Sequence, residues 1–585
     1  MRFPASGGRR WLLFTEPTTT FEATSLGDVE SVLEAADAAA AQGLWVVGMV
    51  SYDAAPAFDS AIRARRDASV PLASFAAFAK AQPSRGPAGA TFDVGPWTPS
   101  QDQAAFEEAI GLIKDHIAAG DTYQVNYTLR LDAEFSGDPL GFFAALARAQ
   151  RADHLAYLDF GDLAVCSASP ELFLRRTGTQ LISRPMKGTR PRHPDPAADR
   201  QLADDLITSE KDRAENTMIV DMARNDLGRL ATVGSLRTTD LHTVESYPTV
   251  HQLTSTVQAE TTASLSEIFR GTFPGASITG APKVRTSGLI AELEPTPRGV
   301  YTGSIGAIAP GGDFEFNIAI RTATIDRVRG RACYGVGGGI VWDSDPADEW
   351  LEAHDKARVL HRASEPFRLL ETLAWEPETG PILLDRHLDR LQATASHFGF
   401  DLDHGEVRRH LEGLSARRPV MVRLLVDLDG HIETELRPLP EPSTKPTVVV
   451  DDRPVDRGDE FLRHKTTRRH RYDEARRRFP HAFDVLLFNS DGEFTESTIA
   501  NLVIEDNGRR FTPPTSAGLL PGTFRAELLA HRRIQEAPIR LADLQAAERI
   551  WLINSVRGWT EVTVDWGHVP SLLHSIPTAT ALNNS

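Results

Sequence analysis

The sequence predicts a mixed α and β chain of more than one domain: an α+β part over residues 1–363 joined to an α/β part over residues 364–585. Three observations predict it. At 585 residues the chain exceeds one ordinary core, and length alone implies about two to four domains. Hydrophobic content of 41% with 24% charged residues is that of a soluble globular chain. Strand-like alternation and helical spacing recur throughout, yet one series of motifs stops near residue 361 and another begins, with Glu365-Pro366 as the seam.

Composition also excludes functions. A formal charge of -17 disfavours a nucleic-acid or anionic-membrane surface. Two cysteines, Cys166 and Cys333, supply neither a disulfide framework nor a cysteine zinc site. Both lie in apolar strand-like runs, so buried thiols in a reducing cytoplasm are expected. No apolar stretch approaches the roughly 18 residues of a membrane span, and Arg9-Arg10 precedes too short an apolar run for a signal peptide.

Taken in order, residues 1–95 alternate strand-like pieces with an Ala-rich helix from Val29 to Gln42 and carry no evident chemistry. Phe106, Ala109, Ile110, Ile113 and Ile117 follow helical spacing, and Gly120 stops it. Tyr123, Val125, Tyr127, Leu129 and Leu131 alternate as a strand that turns Gln124, Asn126 and Thr128 to its other face. Leu172–Arg176 and Gln180–Arg184 read as a hairpin about Thr177-Gly178-Thr179. That turn places Glu171 and Lys187 at similar distances on either side, a carboxyl and an amine that could serve acid/base and nucleophilic chemistry. Taken alone, a surface ion pair on an edge hairpin is the commoner arrangement. A helix over Leu202–Leu230 sets Asp212 and Glu215 on one face, and a helix over Ala347–Leu360 does the same for Glu349, Glu352 and Lys356. Two acidic faces suit one Mg2+ ion, which prefers oxygen ligands, but spacing alone equally describes two solvated faces.

Ser169-Pro170-Glu171-Leu172, Pro185-Met186-Lys187-Gly188-Thr189, Asp212 to Arg229, Gly280-Ala281-Pro282-Lys283, Tyr301-Thr302-Gly303 and Gly335 to Lys356 occur in one order. Together they resemble the chorismate-utilising enzymes: anthranilate, salicylate and isochorismate synthases and aminodeoxychorismate synthase component I. The resemblance implies a chorismate-binding fold of large antiparallel sheets with flanking helices. It implies Glu215 and Glu352 as Mg2+ ligands with Asp212 and Glu349 as outer carboxylates, Asp212 standing where glutamate is more usual. It places His251 close to the substrate, although a core histidine is an almost equal reading. Tyr301, Arg321, Gly337 and Gly339 would grip the enolpyruvyl carboxylate, with Gly188, Thr189 and Lys356 also at the substrate. Relatives that add water to chorismate resemble this chain with a lysine base at position 124; Gln124 cannot deprotonate water, which disfavours hydroxylation. Anthranilate synthases usually carry alanine at position 187, so Lys187 favours amination at C4. Lys283 receives no role.

From Phe367 onward, Leu370-Glu371-Thr372, Arg386-His387-Leu388-Asp389-Arg390-Leu391, His464-Lys465-Thr466-Thr467, Phe494 to Leu502, Gly518 to Thr523 and Asn554-Ser555-Val556-Arg557-Gly558 resemble the fold-type IV pyridoxal-phosphate enzymes, especially 4-amino-4-deoxychorismate lyase. The resemblance implies a two-subdomain α/β fold and a homodimer. Lys465 would join the pyridoxal 5'-phosphate covalently and then move protons, Glu496 would pair with the ring nitrogen, and Thr372 would lie near the lysine. Arg390, the amides of Gly522-Thr523 and Ser555 would hold the phosphate. Relatives often read Gly-Ile-Thr at this turn, so a hydroxyl contact from it is not expected here. Arg463 to Arg478 could instead be a nucleic-acid patch, but Asp473 and Glu474 interrupt it and Tyr472 is its single aromatic.

The two resemblances imply one chain making 4-aminobenzoate for folate: amination of chorismate with ammonia to 4-amino-4-deoxychorismate, then loss of pyruvate. The alternatives are an anthranilate synthase-like half fused to a class IV aminotransferase, or a binding scaffold with one inactive half. Neither cysteine sits in a Gly-x-Cys-x-Gly turn, so a separate glutamine amidotransferase subunit is expected to supply ammonia. Ser571 to Ser585 reads as a flexible tail.

Overall fold

The structure, a computed structural model, describes all residues except 6–7, 88, 193–195, 248–249, 365–366, 399, 401, 429, 442–443, 568, 571–572 and 574–585. The chain divides into two compact units, Met1–Pro366 and Phe367–Ser585. The expected seam, Glu365-Pro366, and nearly all of the expected tail lie outside the described residues.

The first unit is built on two large antiparallel sheets, one of eight strands and one of ten. In the eight-stranded sheet the long strand Gln124–Gly137 pairs with Arg331–Ile340, which sets Gly339 opposite Asn126 and Gly337 opposite Thr128. Val125, Tyr127, Leu129 and Leu131 join Phe106, Ile110 and Ile113 of the helix Gln103–Ala118 in one apolar cluster. The opposite face is buried as well: Gln124, Asn126 and Thr128 are at most 7% exposed. A polar face turned inward marks a site, because burying such groups is costly unless they find partners.

The ten-stranded sheet holds the hairpin Leu172–Thr177 and Gln180–Arg184, with Gly178 at its tip in the left-handed region at φ 58°. The chain then runs into Met186–Pro191, which pairs with Val250–Glu260. The single helix expected from Leu202 to Leu230 is two helices, Pro196–Thr208 and Glu210–Gly228. Ser209 divides them: it adopts an extended backbone, and its side chain accepts a hydrogen bond from the Asp212 amide as the cap of the second helix. Ile219, Val220, Ala223 and Leu227 bury that helix's apolar side. The helix Pro346–Ser364 buries Ala353, Ala357 and Leu360 in the eight-stranded sheet's cluster, which leaves Glu349, Glu352 and Lys356 on another side.

The second unit has a four-stranded antiparallel sheet packed by the helix Leu384–Phe398, and an eight-stranded sheet in which Thr447–Val450 runs parallel to both of its neighbours. The basic run spends its arginines internally: Arg478 pairs with Asp451 at 2.6 Å, Arg471 donates to the Pro454 carbonyl at 2.9 Å, and Arg469 lies over the Tyr472 ring. Such a run is not a free cationic patch. Among the described residues no helix is long and apolar enough to cross a membrane.

Candidate active sites in the two units

The first unit encloses a cavity of 260 Å³ between its sheets and the helices that carry the acidic side chains. Lys187 and Glu171 both line it, so they are not a surface pair. Burial pushes the Glu171 carboxyl up to about 7, against the Ser277 hydroxyl, which donates to its Oε1 at 2.6 Å, and the Lys187 charge. Burial also lowers the Lys187 amine, with the Lys356 charge adding to it and Glu215, Glu352 and Glu171 opposing. The cavity thus lowers the proton affinity of its amine and raises that of its carboxyl. That is the division of labour a nucleophile and a general acid require.

Gly339 makes the approach possible. A Cβ there would come within 2.3 Å of Lys187 Nζ and 2.4 Å of Gln124 Nε2, so any larger residue would push these two side-chain ends from their present places. Gly335 faces the Tyr301 ring in the same way, at 2.3 Å from such a Cβ. Tyr301, Arg321, Gly337, Gly188, Thr189 and Lys356 line the cavity. Lys356 donates to the Gly337 carbonyl at 2.8 Å, and Arg321 donates to the Lys356 carbonyl. His251 does not line it: its ring bridges Asp199 at 3.0 Å and Ser246 at 2.9 Å, which makes it a buried link between helix and strand.

Asp212, Glu215, Glu349 and Glu352 all face this cavity. Yet among the described residues no three acidic, histidine or cysteine side chains are gathered closely enough to hold a metal. Cationic and hydroxyl groups stand in: Arg190 pairs with Asp212 at 2.6 Å, Lys356 with Glu352 at 2.6 Å, and Ser344 donates to Glu349 at 2.7 Å. Burial raises the Glu215 carboxyl, with Lys187 and Lys211 opposing and the charges of Asp212 and Glu352 adding to it. Converging all-oxygen donors of like charge fit a hard divalent cation in chemistry, though not in their present spacing. Lys283 is a structural tie, donating to Asp226 at 2.6 Å and to the Thr272 carbonyl at 2.8 Å.

In the second unit Lys465, Thr372, Glu496, Arg390, Gly522, Thr523 and Ser555 line one cavity of 380 Å³. Burial lowers the Lys465 amine to about 7, helped by the Arg390 and Arg469 charges. Burial pushes Glu496 up to about 7 against the Leu520 amide, which donates to its Oε1 at 3.0 Å, and the Tyr472 hydroxyl, which donates there at 2.7 Å. Gly522 caps the helix Thr523–Ala530 with no side-chain cap, and a Cβ on it would strike Asn501 Oδ1 at 2.0 Å. A helix start with open amides beside Arg390 fits a phosphate, and a buried amine facing a buried carboxyl fits the carbonyl and ring nitrogen of pyridoxal 5'-phosphate. The Thr523 hydroxyl lies 3.2 Å from His387 Nε2.

Residues 3–362 match the family model described as chorismate binding enzyme. The chain belongs to the chorismate binding enzyme family. Residues 368–564 match the amino-transferase class IV model. An aminodeoxychorismate synthase of Streptomyces griseus is 43% identical over 318 residues, covering 54% of this chain and 43% of that protein. Aminodeoxychorismate synthase component 1 of Salmonella typhimurium is 44% identical over 268 residues, covering 45% of this chain and 59% of that protein. The chain thus spans about half the length of these relatives. A crystal structure of anthranilate synthase component I from Streptococcus pneumoniae, 24% identical, superposes with a TM-score of 0.52 over 61% of this chain and 93% of that chain, which establishes a shared fold.

Within this chorismate binding enzyme, sequence reasoning missed Asn126, Ser277, Arg190 and Lys211 in the first cavity and Arg423, Arg437 and Arg557 in the second. Asn126 carried a signal, a polar residue on the inner face of an apolar strand. Arg557 stood within a motif already singled out but received no role, while Arg423 and Arg437 carried no signal, because a strand arginine reads as solvent-facing until the wall opposite it is known.

Proposed function

We propose that this chain makes 4-aminobenzoate in two steps, aminating chorismate in the first unit and eliminating pyruvate from 4-amino-4-deoxychorismate in the second. One observation carries the reading: each unit holds a buried amine of lowered proton affinity in a cavity with a carboxyl of raised affinity, Lys187 with Glu171 and Lys465 with Glu496. In the first unit Lys187 attacks C2 of the ring while Glu171 gives its proton to the C4 hydroxyl, which leaves as water. Ammonia then adds at C4 and Lys187 is expelled from C2. Arg321, Tyr301 and the Gly337 and Gly339 backbone hold the enolpyruvyl carboxylate, and Glu215 and Glu352, once drawn closer together, would hold Mg2+, which would supply positive charge for an anionic substrate. Gln124, having no basic nitrogen, gives water no route to compete.

In the second unit Lys465, Glu496, Arg390, Thr523 and Ser555 would hold pyridoxal 5'-phosphate, which supplies an electron sink for breaking the bond to the C4 proton. Lys465 takes that proton, and the enolpyruvyl group leaves C3 as pyruvate. Glu496 would pair with the ring nitrogen. Arg423, Arg437 and Arg557 give the cavity wall a positive charge that suits an anionic substrate. Ammonia comes from a separate glutamine amidotransferase subunit, the setting is the cytoplasm, and the second unit pairs with its copy in a homodimer. Feeding the protein chorismate, ammonium and Mg2+ should give 4-aminobenzoate and pyruvate in equal amounts. Formation of anthranilate, a requirement for a keto-acid acceptor, or full activity on glutamine alone would each refute the corresponding part.

A further inference from the structure

Glu371 and His387, both 1% exposed, stand behind the groups assigned to the phosphate in the second unit. Arg390 donates from Nε to Glu371 Oε1 at 2.8 Å and from Nη2 to Oε2 at 2.6 Å, with a further bond to the Pro521 carbonyl at 3.2 Å. His387 Nδ1 lies 2.7 Å from the same Oε2. Although burial works to raise it, the Glu371 carboxyl is held far below the usual carboxylate range by Arg390 and His387. An ionised carboxylate only accepts, so Nδ1 carries a proton. The other ring nitrogen, Nε2, faces two hydroxyls, Ser555 Oγ at 3.1 Å and Thr523 Oγ1 at 3.2 Å.

In a neutral imidazole protonated at Nδ1, Nε2 is an acceptor, and a hydroxyl that donates to it cannot donate to an incoming phosphate. Among the described residues the bonds to Nε2 are these two, with Ser555 Oγ also 3.4 Å from the Thr372 carbonyl; were both hydroxyls to turn to the phosphate, Nε2 would be left an unsatisfied buried acceptor, which is costly. A proton on Nε2 resolves the conflict. The nitrogen then donates to a hydroxyl oxygen, and both hydroxyl protons are released toward the phosphate. Charge acts the same way: a dianion brings two further negative charges beside the ring, in a cavity also lined by Lys465, Glu496, Arg423, Arg437, Arg469 and Arg557.

We infer that His387 takes up one proton from solvent when a phosphate monoester binds this cradle, becoming an imidazolium held between Glu371 and the Ser555 and Thr523 hydroxyls. The inference rests on the reading of this cavity as a pyridoxal-phosphate site. Burial lowers the His387 ring, and the Arg390 and Lys465 charges act the same way against Glu371, which is consistent with a neutral ring before the ligand arrives. His387 is thus a positioning residue, acting on the ligand through two hydroxyls.

The test uses full-length apoprotein titrated calorimetrically with pyridoxine 5'-phosphate or pyridoxine, which lack the aldehyde, in buffers of different ionisation enthalpy at a pH where the free phosphate is dianionic. The phosphorylated ligand should take up about one proton more than pyridoxine, and His387→Gln should abolish that difference while cutting the preference for the phosphorylated ligand about 10- to 100-fold. The 15N shifts of the His387 ring should move to the imidazolium pattern with pyridoxine 5'-phosphate and not with pyridoxine. This measurement decides alone if the variant does not fold. Equal proton counts for the two ligands, a difference that survives His387→Gln, or a ring that stays neutral would overturn the inference. Absence of any preference for the phosphorylated ligand in the unaltered protein would overturn the cofactor reading itself.

Discussion

Ser277 sets how strongly Glu171 holds its proton. Its hydroxyl donates to a carboxylate that burial raises, and the balance of the two with the Lys187 charge is about 7, so the hydroxyl stabilises the ionised form. Glu171 works as an acid only while protonated, and kcat/KM for amination should therefore fall as pH rises through about 7. Ser277→Ala removes the bond that favours the anion. Its alkaline limb should move up by about one pH unit, whereas an unchanged limb would mean another group is the acid. Gly339→Ala offers a second check at this scale. The added methyl would sit 2.3 Å from Lys187 Nζ and displace the amine by about an ångström, enough to slow chorismate consumption about 100-fold or more. Pyruvate release from supplied 4-amino-4-deoxychorismate should not change. Lys187, Glu171, Lys465 and Glu496 could be picked out from the sequence because each sits in a motif of its own. Ser277 and His387 could not be given a role, because their work is done on residues more than a dozen positions away and nothing local marks the partner.

Helix boundaries show where reading by period fails. Helical spacing from Leu202 to Leu230 runs through Ser209 without a break in hydrophobic pattern, yet the chain bends there because Ser209 gives its side chain to the Asp212 amide. Serine inside a helical pattern can be either an interior residue or a cap, and only the direction of the next helix decides. The break matters for function, since the second helix carries Asp212 in its first turn and Glu215 in its second. Ser209→Ala should cost about 1 kcal/mol in denaturant unfolding of the first unit. It should also raise the Mg2+ concentration needed for half-maximal amination, because the two carboxylates would no longer start from a fixed first turn. A loss of stability with no change in Mg2+ dependence would remove these residues from the metal site. The strand Gln124–Gly137 and its glycine-rich partner were legible in type, while their ten-residue register was not. Alternation tells which side chains share a face and says nothing about which strand lies opposite.

At the scale of the whole chain, each unit has its own apolar clusters and its own cavity, and the residues assigned to each reaction come from one unit alone. The two-part organisation was legible because a change of motif series is a property of the linear sequence. The pairing of Thr447–Val450 with strands on both sides of it was not, since parallel neighbours lie far apart along the chain. Two self-contained sites predict that damage to one leaves the other working. Lys187→Ala should stop chorismate consumption yet still release pyruvate and 4-aminobenzoate from supplied 4-amino-4-deoxychorismate. Lys465→Ala should consume chorismate and accumulate 4-amino-4-deoxychorismate. Mixing the two variants should then restore 4-aminobenzoate, at a rate that rises with the amount of the Lys187→Ala protein, because the intermediate leaves one chain and is taken up by another. If the mixture stays inactive while each variant performs its own half-reaction, the intermediate does not pass through solution, and the two cavities must exchange it within a single molecule.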